Sequence, residues 1–314
     1  MGRGKTRIHL EPESRSCMFP SQSEPVPQKP FCFLGPDRPT TPFLFSSPHS
    51  GRYYPPQFLA ASQLDPLAIR RSEDFMIDML FSSALEGRAP LIAAVYPRAY
   101  VDLNREPYEL DAKMFRQALP PRANGRSLRA AGGLGTIPRM VSEGRHIYAG
   151  PIDLSEALWR IESIYHPFHE ALRRYLAETL AQFGIAVLID CHSMPSTARN
   201  AAPGLRPDFV VGDRFGVSCA PELTECAVRV LRGLGYCVSR NKPYAGGFIT
   251  EHYGRPAAGL HVLQVEVNRA LYMDEEAIRL HDGFEALRRN VGVLAGELMA
   301  TRLEPPAALD EAAE

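Results

Sequence analysis

A chain of 314 residues that is 45% apolar and 23% charged can bury a full domain core, and its net charge of −1 argues against a nucleic-acid or membrane-surface role. Six cysteines without a CxxC pair argue against a disulfide framework and suit reduced thiols in a cytoplasm. No apolar run approaches the ~18 residues of a membrane span, and the basic N-terminus (Arg3, Lys5, Arg7) lacks the apolar stretch of a signal peptide.

Residues 1–40 carry Pro, Ser and Arg without sustained apolar periodicity, which predicts a loose arm. Residues 304–314 read as a frayed acidic tail, leaving one α/β hydrolase domain over 41–303. Inside it, strands are expected at 43–47, 91–95 and 100–103, with a helix over 74–85 on which Met76, Met79, Leu80 and Ser83 share a face. Gly, Pro and Arg dominate 106–150, a long loop region of the kind that usually serves function. The clearest helix is 153–183. Asp153 and Glu156 resemble a capping box, an apolar stripe runs from Leu158 to Phe183, Pro167 should kink it and Gly184 ends it. Strands at 185–189, 208–211, 236–239 and 260–267 and helices at 221–234 and 274–303 complete the pattern. Continuous apolar strands alternating with helices predict a mainly parallel or mixed central sheet with helices on both faces.

Polar residues recur where these strands open into loops, the edge along which open α/β sheets bind ligands. His49 follows Phe43-Leu-Phe-Ser-Ser-Pro, and His192 follows Val187-Leu-Ile-Asp190-Cys. Each alone reads equally as a hydrogen-bonded structural histidine. Together, with a carboxylate from Asp74 or Glu73, they match the three protein ligands of a hydrolytic zinc site. The bland reading of Glu73 and Asp74 is a helix N-terminal charge pair. Asp78, one turn on, and Asp190, two residues before His192 on the same strand face, suit supporting positions behind the ligands. Glu266 alternates with Val265 and Val267 in a buried strand, so it has either a partner, Arg269 being one, or a task as general acid/base. Asn104-Arg105 offers a planar donor fork for a substrate carboxylate. Tyr244 to Gly254 forms a glycine-bearing loop whose Gly246-Gly247 lets backbone approach a ligand. His166 and His169 read as core-edge residues of the long helix, with His169 and His252 as further candidates near the site.

With these residues in view, the chain resembles the N-formylglutamate amidohydrolase family over roughly residues 40–295. The resemblance is carried by Ser47-Pro48-His49-Ser50-Gly51, Glu73-Asp74 with Asp78, Asp102-Leu103-Asn104-Arg105, Tyr165-His166-Pro167-Phe168-His169, Asp190-Cys191-His192-Ser193, the 244–254 loop and Glu266-Val267-Asn268-Arg269. It implies a zinc-carboxypeptidase-like fold and cleavage of the amide of an N-formyl or N-acyl amino acid in amino-acid catabolism such as histidine degradation. It points to one zinc per chain on His49, Asp74 and His192, to Glu266 as acid/base, and to Asn104, Arg105, Tyr244, Gly246 and Gly247 around a small-molecule substrate. The chain departs from the carboxypeptidase pattern in lacking HxxE around His49, and it has Glu251 where a basic residue is expected before His252-Tyr253-Gly254. A small-peptide hydrolase and a non-catalytic small-molecule sensor are the other readings of the same residues.

Overall fold

The computed structural model describes residues 29–142, 144–198 and 206–306, so residues 1–28 of the expected arm and 307–314 of the expected tail lie outside the described residues. Eleven strands are described: β1 (Phe31–Leu34), β2 (Phe43–Ser47), β3 (Leu91–Ala94), β4 (Met140–Ser142), β5 (Arg145–His146), β6 (Ala186–Met194), β7 (Phe209–Gly212), β8 (Val238–Arg240), β9 (Leu260–Asn268), β10 (Met273–Asp274) and β11 (Arg279–Leu280). Seven of them form one sheet in the order β1-β3-β2-β6-β9-β7-β8, while β4-β5 and β10-β11 are separate ribbons. The centre, β3-β2-β6-β9, is parallel. β1 runs antiparallel to β3, and β7 antiparallel to β9 with β8 parallel to it, so the sheet is mixed.

Side-chain alternation divides the central strands between two cores. Phe43, Phe45, Val187, Ile189, Leu263 and Val265 pack with residues of helices Pro221–Gly233 and Gly283–Ala300 on one face. Leu44, Leu188 and Val262 pack with Phe168, Leu172 and Tyr175 of helix His166–Phe183 on the other. On that second face the strands turn polar toward their C-terminal ends. β6 and β9 stay in register there, pairing Asp190 with Gln264 and His192 with Glu266. The site therefore continues one core face of the sheet.

Several expected elements change form. The loose arm gives way at Phe31 to edge strand β1, whose four residues pair with β3 from Phe31↔Ala94 to Leu34↔Leu91. The helix expected over 74–85 is one α turn, Ile77–Leu80, followed by the 3-10 stretch Phe81–Gly87. Residues 100–103 form no strand. Helix 153–183 is built as Leu154–Arg160, a π turn Ile161–Tyr165 and His166–Phe183, so Pro167 starts a fresh α segment where its missing N–H is tolerated. Gly184 closes it in the left-handed region at φ 73°. The last helix begins at Gly283, because 273–280 folds into β10-β11. The 106–150 region holds the 3-10 turn Ala112–Met114, the short helix Leu128–Ala131 and the ribbon β4-β5. After β2 the chain turns at His49 and packs on the end of β3. A Cβ on Gly51 would lie 2.0 Å from Tyr96 O, so only glycine permits that approach.

Candidate active site

Three buried side chains from three segments converge at the polar ends of β2 and β6. One ligand atom from each of His49, Asp74 and His192 lies within 4.8 Å of the others. Asp74 Oδ2 stands 2.9 Å from His192 Nδ1 and 3.4 Å from His49 Nδ1. The outer nitrogens are held from behind: His49 Nε2 donates to Asp102 Oδ1 at 2.7 Å, and His192 Nε2 to Asp190 Oδ2 at 2.9 Å. A carboxylate on Nε2 places that ring proton outward and turns the Nδ1 lone pair inward, the arrangement typical of metal-ligating histidines. His49 Nδ1 is buried without a hydrogen-bond partner among the described residues, which suits a lone pair meant for a metal. Two imidazoles and a carboxylate fit zinc. Burial opposes charge at every position, yet His49 and His192 hold Asp74 well below the usual carboxylate range. At His192 the carboxylates of Asp190 and Asp74 likewise outweigh burial and raise its pKa well above the usual imidazole value. That field favours a cation at this point.

The alternative carboxylate, Glu73, faces elsewhere: it accepts from Tyr54 Oη at 2.7 Å and from Arg70 Nε at 2.8 Å. Asp78 takes a bidentate pair from Arg52, at 2.9 and 2.7 Å, and Arg52 Nη1 also donates to Ser50 O. It thereby braces the His49 turn. His252 is not near the three ligands; it stacks on Phe248 and lines a separate groove with Glu106 and His166. Glu251 pairs with Arg214 at 3.0 Å and does not line the central cavity.

Glu266 stands beside His192 across the β6-β9 register. Arg269, its expected ion-pair partner, is engaged instead with Ser193 Oγ, Arg71 O and Asp74 Oδ1. Glu266 forms no ion pair within 4 Å among the described residues, and Gln264 Nε2 donates to its Oε1 at 2.9 Å. Burial, with Asp74 and Asp190 adding to it against His192 and Arg98, pushes Glu266 up to about 7. A carboxyl poised there can accept and return a proton near neutral pH. Gln264 Oε1 also accepts from Gly247 N at 2.8 Å, tying the glycine loop to the same strand. A Cβ on Gly247 would meet the Asn104 amide at 2.5 Å.

Asn104 serves the protein more than a ligand. Its Nδ2 donates to Asp190 Oδ2 at 3.2 Å and its Oδ1 accepts from Ile249 N at 2.7 Å, so both ends of its amide are engaged by the protein. Arg105 faces the cavity, anchored through Nε to Leu134 O and through Nη1 to Asn104 O. Its loop is fastened to the long helix. Tyr165 Oη donates to Arg105 O at 2.7 Å, His169 Nε2 to Leu103 O at 2.8 Å, and Tyr253 Oη lies 2.9 Å from His169 Nδ1. Burial drives His169 down to about 3. Unfolding therefore takes up a proton that the native state refuses below about pH 6.5, and the associated stability, fully present above that pH, drains as pH falls toward 3. Between pH 7 and 5 this amounts to about 2 kcal/mol for an unfolded-state pKa near 6.5. Urea unfolding at both pH values should lose about that much of its pH dependence in His169→Gln; an unchanged slope would refute the assignment.

These groups line a cavity of about 820 Å³ bounded by His49, Asp74, His192, Glu266, Tyr244, Gly246 and Gly247, with Arg98 and Arg269 among several arginines. The family model for N-formylglutamate amidohydrolase matches residues 41–273, and this match covers every residue just described. The chain belongs to the N-formylglutamate amidohydrolase family. It is 31% identical over 264 residues to an N-formylglutamate deformylase of Pseudomonas aeruginosa, covering 82% of this chain and 93% of that protein. To one of Pseudomonas putida it is 32% identical over 241 residues, 74% of this chain and 82% of the relative. A crystal structure of N-formylglutamate amidohydrolase from Ralstonia eutropha JMP134 superposes with a TM-score of 0.81 at 32% identity, covering 86% and 97% of the two chains. The family is one of amidohydrolases, enzymes that hydrolyse amide bonds. No described helix is long and apolar enough to cross a membrane.

Arg98, Asp102 and Gln264 join the site without having been singled out as site residues in the sequence. Asp102 and Gln264 carried a signal, each being one polar residue between apolar neighbours (Val101 and Leu103; Leu263 and Val265). Arg98, which donates to Asp102 Oδ2 at 2.9 Å, follows a proline in a short turn and carried none.

Proposed function

We propose that this chain cleaves the formyl amide of N-formyl amino acids, N-formyl-glutamate foremost, using one zinc held by His49, Asp74 and His192. The observation that carries the reading is the convergence of two inward Nδ1 atoms and Asp74 Oδ2 directly beside Glu266 at the floor of one cavity. Zinc supplies Lewis acidity there, polarising the formyl carbonyl and acidifying water. Glu266 takes a proton from the attacking water, whose oxygen bonds to the formyl carbon. As the C–N bond breaks, Glu266 returns that proton to the departing amine, and formate and the free amino acid leave. Arg105, fixed through two backbone carbonyls, holds the α-carboxylate and keeps the amide in line with the attacking oxygen. Asp102 and Asp190 keep both imidazoles in the ligating tautomer. The described cysteines are free thiols, which supports a cytoplasmic setting.

Formate release from N-formyl-glutamate, beside N-acetyl-glutamate and a dipeptide, should be fastest for the formyl substrate on protein carrying about one zinc per chain. Faster cleavage of the acetyl or peptide substrate would replace this reading with a broader acyl or peptide hydrolase. Binding without turnover on zinc-saturated protein would leave a sensor.

A further inference from the structure

The cavity carries more positive charge than the hydrolytic chemistry uses. Arg71, Arg98, Arg105, Arg129 and Arg269 line it against the carboxylates of Asp74, Asp102 and Glu266. Four of these guanidiniums are engaged by the protein: Arg98 with Asp102, Arg269 with Asp74 and Ser193, Arg71 with Glu275 O, and Arg105 with Asn104 O and Leu134 O. The Arg129 guanidinium forms no hydrogen bond or ion pair among the described residues; the residue is tied down only through its backbone, whose carbonyl accepts from Leu134 N at 2.8 Å. We propose that Arg129 binds the side-chain carboxylate of the substrate and makes the site selective for an acidic N-formyl amino acid, an inference that rests on the deformylase reading and deepens it.

Arg129 belongs to the 106–150 region, but its backbone is not a free loop. Ser127 caps helix Leu128–Ala131 by accepting from Ala130 N at 2.9 Å, and its hydroxyl donates to Glu109. Thr136 N donates to Glu109 O at 2.9 Å, Thr136 O accepts from Asp102 N at 2.8 Å, and Leu134 O holds Arg105 Nε. The wall that carries Arg129 is thus hydrogen-bonded to the loop that carries Asp102 and Arg105. Arg105 is largely buried and Arg129 is exposed at the rim, so two guanidiniums meet one cavity at two depths. Burial first, then Arg98 and Arg129, weakens the hold of Arg105 on its proton. Such crowding of like charge is relieved when anions bind between them. A substrate with an α-carboxylate at Arg105 and a second carboxylate further out satisfies both.

The test compares wild-type, Arg129→Ala, Arg129→Lys and Arg71→Ala zinc-loaded protein. Initial rates are measured with N-formyl-L-glutamate and N-formyl-L-glutamine, and calorimetric binding with L-glutamate and L-glutamine, pairs that differ in the distal group alone. Wild type should favour the acid in both assays. Arg129→Ala should lose roughly 10- to 100-fold of that preference through KM and Kd, with kcat and the amide ligands unchanged. Lysine, which keeps the charge but not the fork, should restore part of it. The assignment fails if wild type shows no acid preference, if Arg129→Ala keeps it, if that variant loses both ligands equally, or if Arg71→Ala alone removes the preference. Acid-selective binding through Arg129 without formate release would sink the deformylase reading and leave this assignment standing. Deformylation indifferent to the side chain would do the reverse.

Discussion

His192→Ala should strip the metal from the protein and reduce formate release to background while leaving the fold in place. In the proposed ligand set the ring supplies one of three donors, and two donors do not hold zinc in a hydrolytic site. The strand around it does not depend on the ring. Its neighbours Ile189 and Cys191 pack into the opposite core, and the backbone ladder to β9 runs on to Met194↔Asn268. Metal analysis, far-UV circular dichroism and turnover on one preparation separate the alternatives. Loss of zinc and rate with native dichroism is the expected result. Full zinc retention in the variant would remove His192 from the ligand set. The graded companion is Asp190→Asn, which weakens the support of Nε2 and should cost about 10- to 100-fold in metal affinity.

Glu266→Gln is expected to lower kcat by about 10²- to 10⁴-fold with zinc content unchanged. The substitution keeps the shape and the oxygen that accepts from Gln264, and removes the group that can take up a proton. Because Glu266 has no ion-pair partner within 4 Å among the described residues, the change strands no buried cation. Stability should therefore hold while the rate collapses. A near-normal kcat would show that another group moves the proton.

Much of the candidate site was legible in the sequence because strand alternation exposes exceptions. At even positions β6 reads Ala186, Leu188, Asp190, His192 and β9 reads Val262, Gln264, Glu266, while the odd positions between them are apolar. A polar residue inside such a run needs a reason, and the order of these exceptions along the chain carried the family resemblance. Other features lacked that contrast. β1 is four residues long and sits among prolines and serines, so composition concealed an alternation that only pairing with β3 makes meaningful. Met76, Met79 and Leu80 have helical spacing, but the segment alternates one α turn with 3-10 geometry, which the same apolar spacing does not distinguish. Arg129 was invisible for the opposite reason: an arginine in a Gly- and Arg-rich stretch looks solvated until the folded wall aims it into the cavity. Asn104 was legible as important, and the folded chain adds a task the sequence did not show, since its amide joins Asp190 to the 244–254 loop.

The nine-residue register between β6 and β9 makes the active site a matter of counting as well as composition. Delete one residue between 187 and 191 and the strand remains apolar enough to pair, yet His192 turns to the face occupied by Val265 and Val267. Delete two and the ring regains its face but falls about 6.6 Å short along the strand, away from Asp74 and Glu266. Length variation compatible with hydrolysis is therefore confined to the connections, the 106–150 wall above all. Change in what this protein acts on has room to arise there, while the proposed metal site stays fixed to the residue.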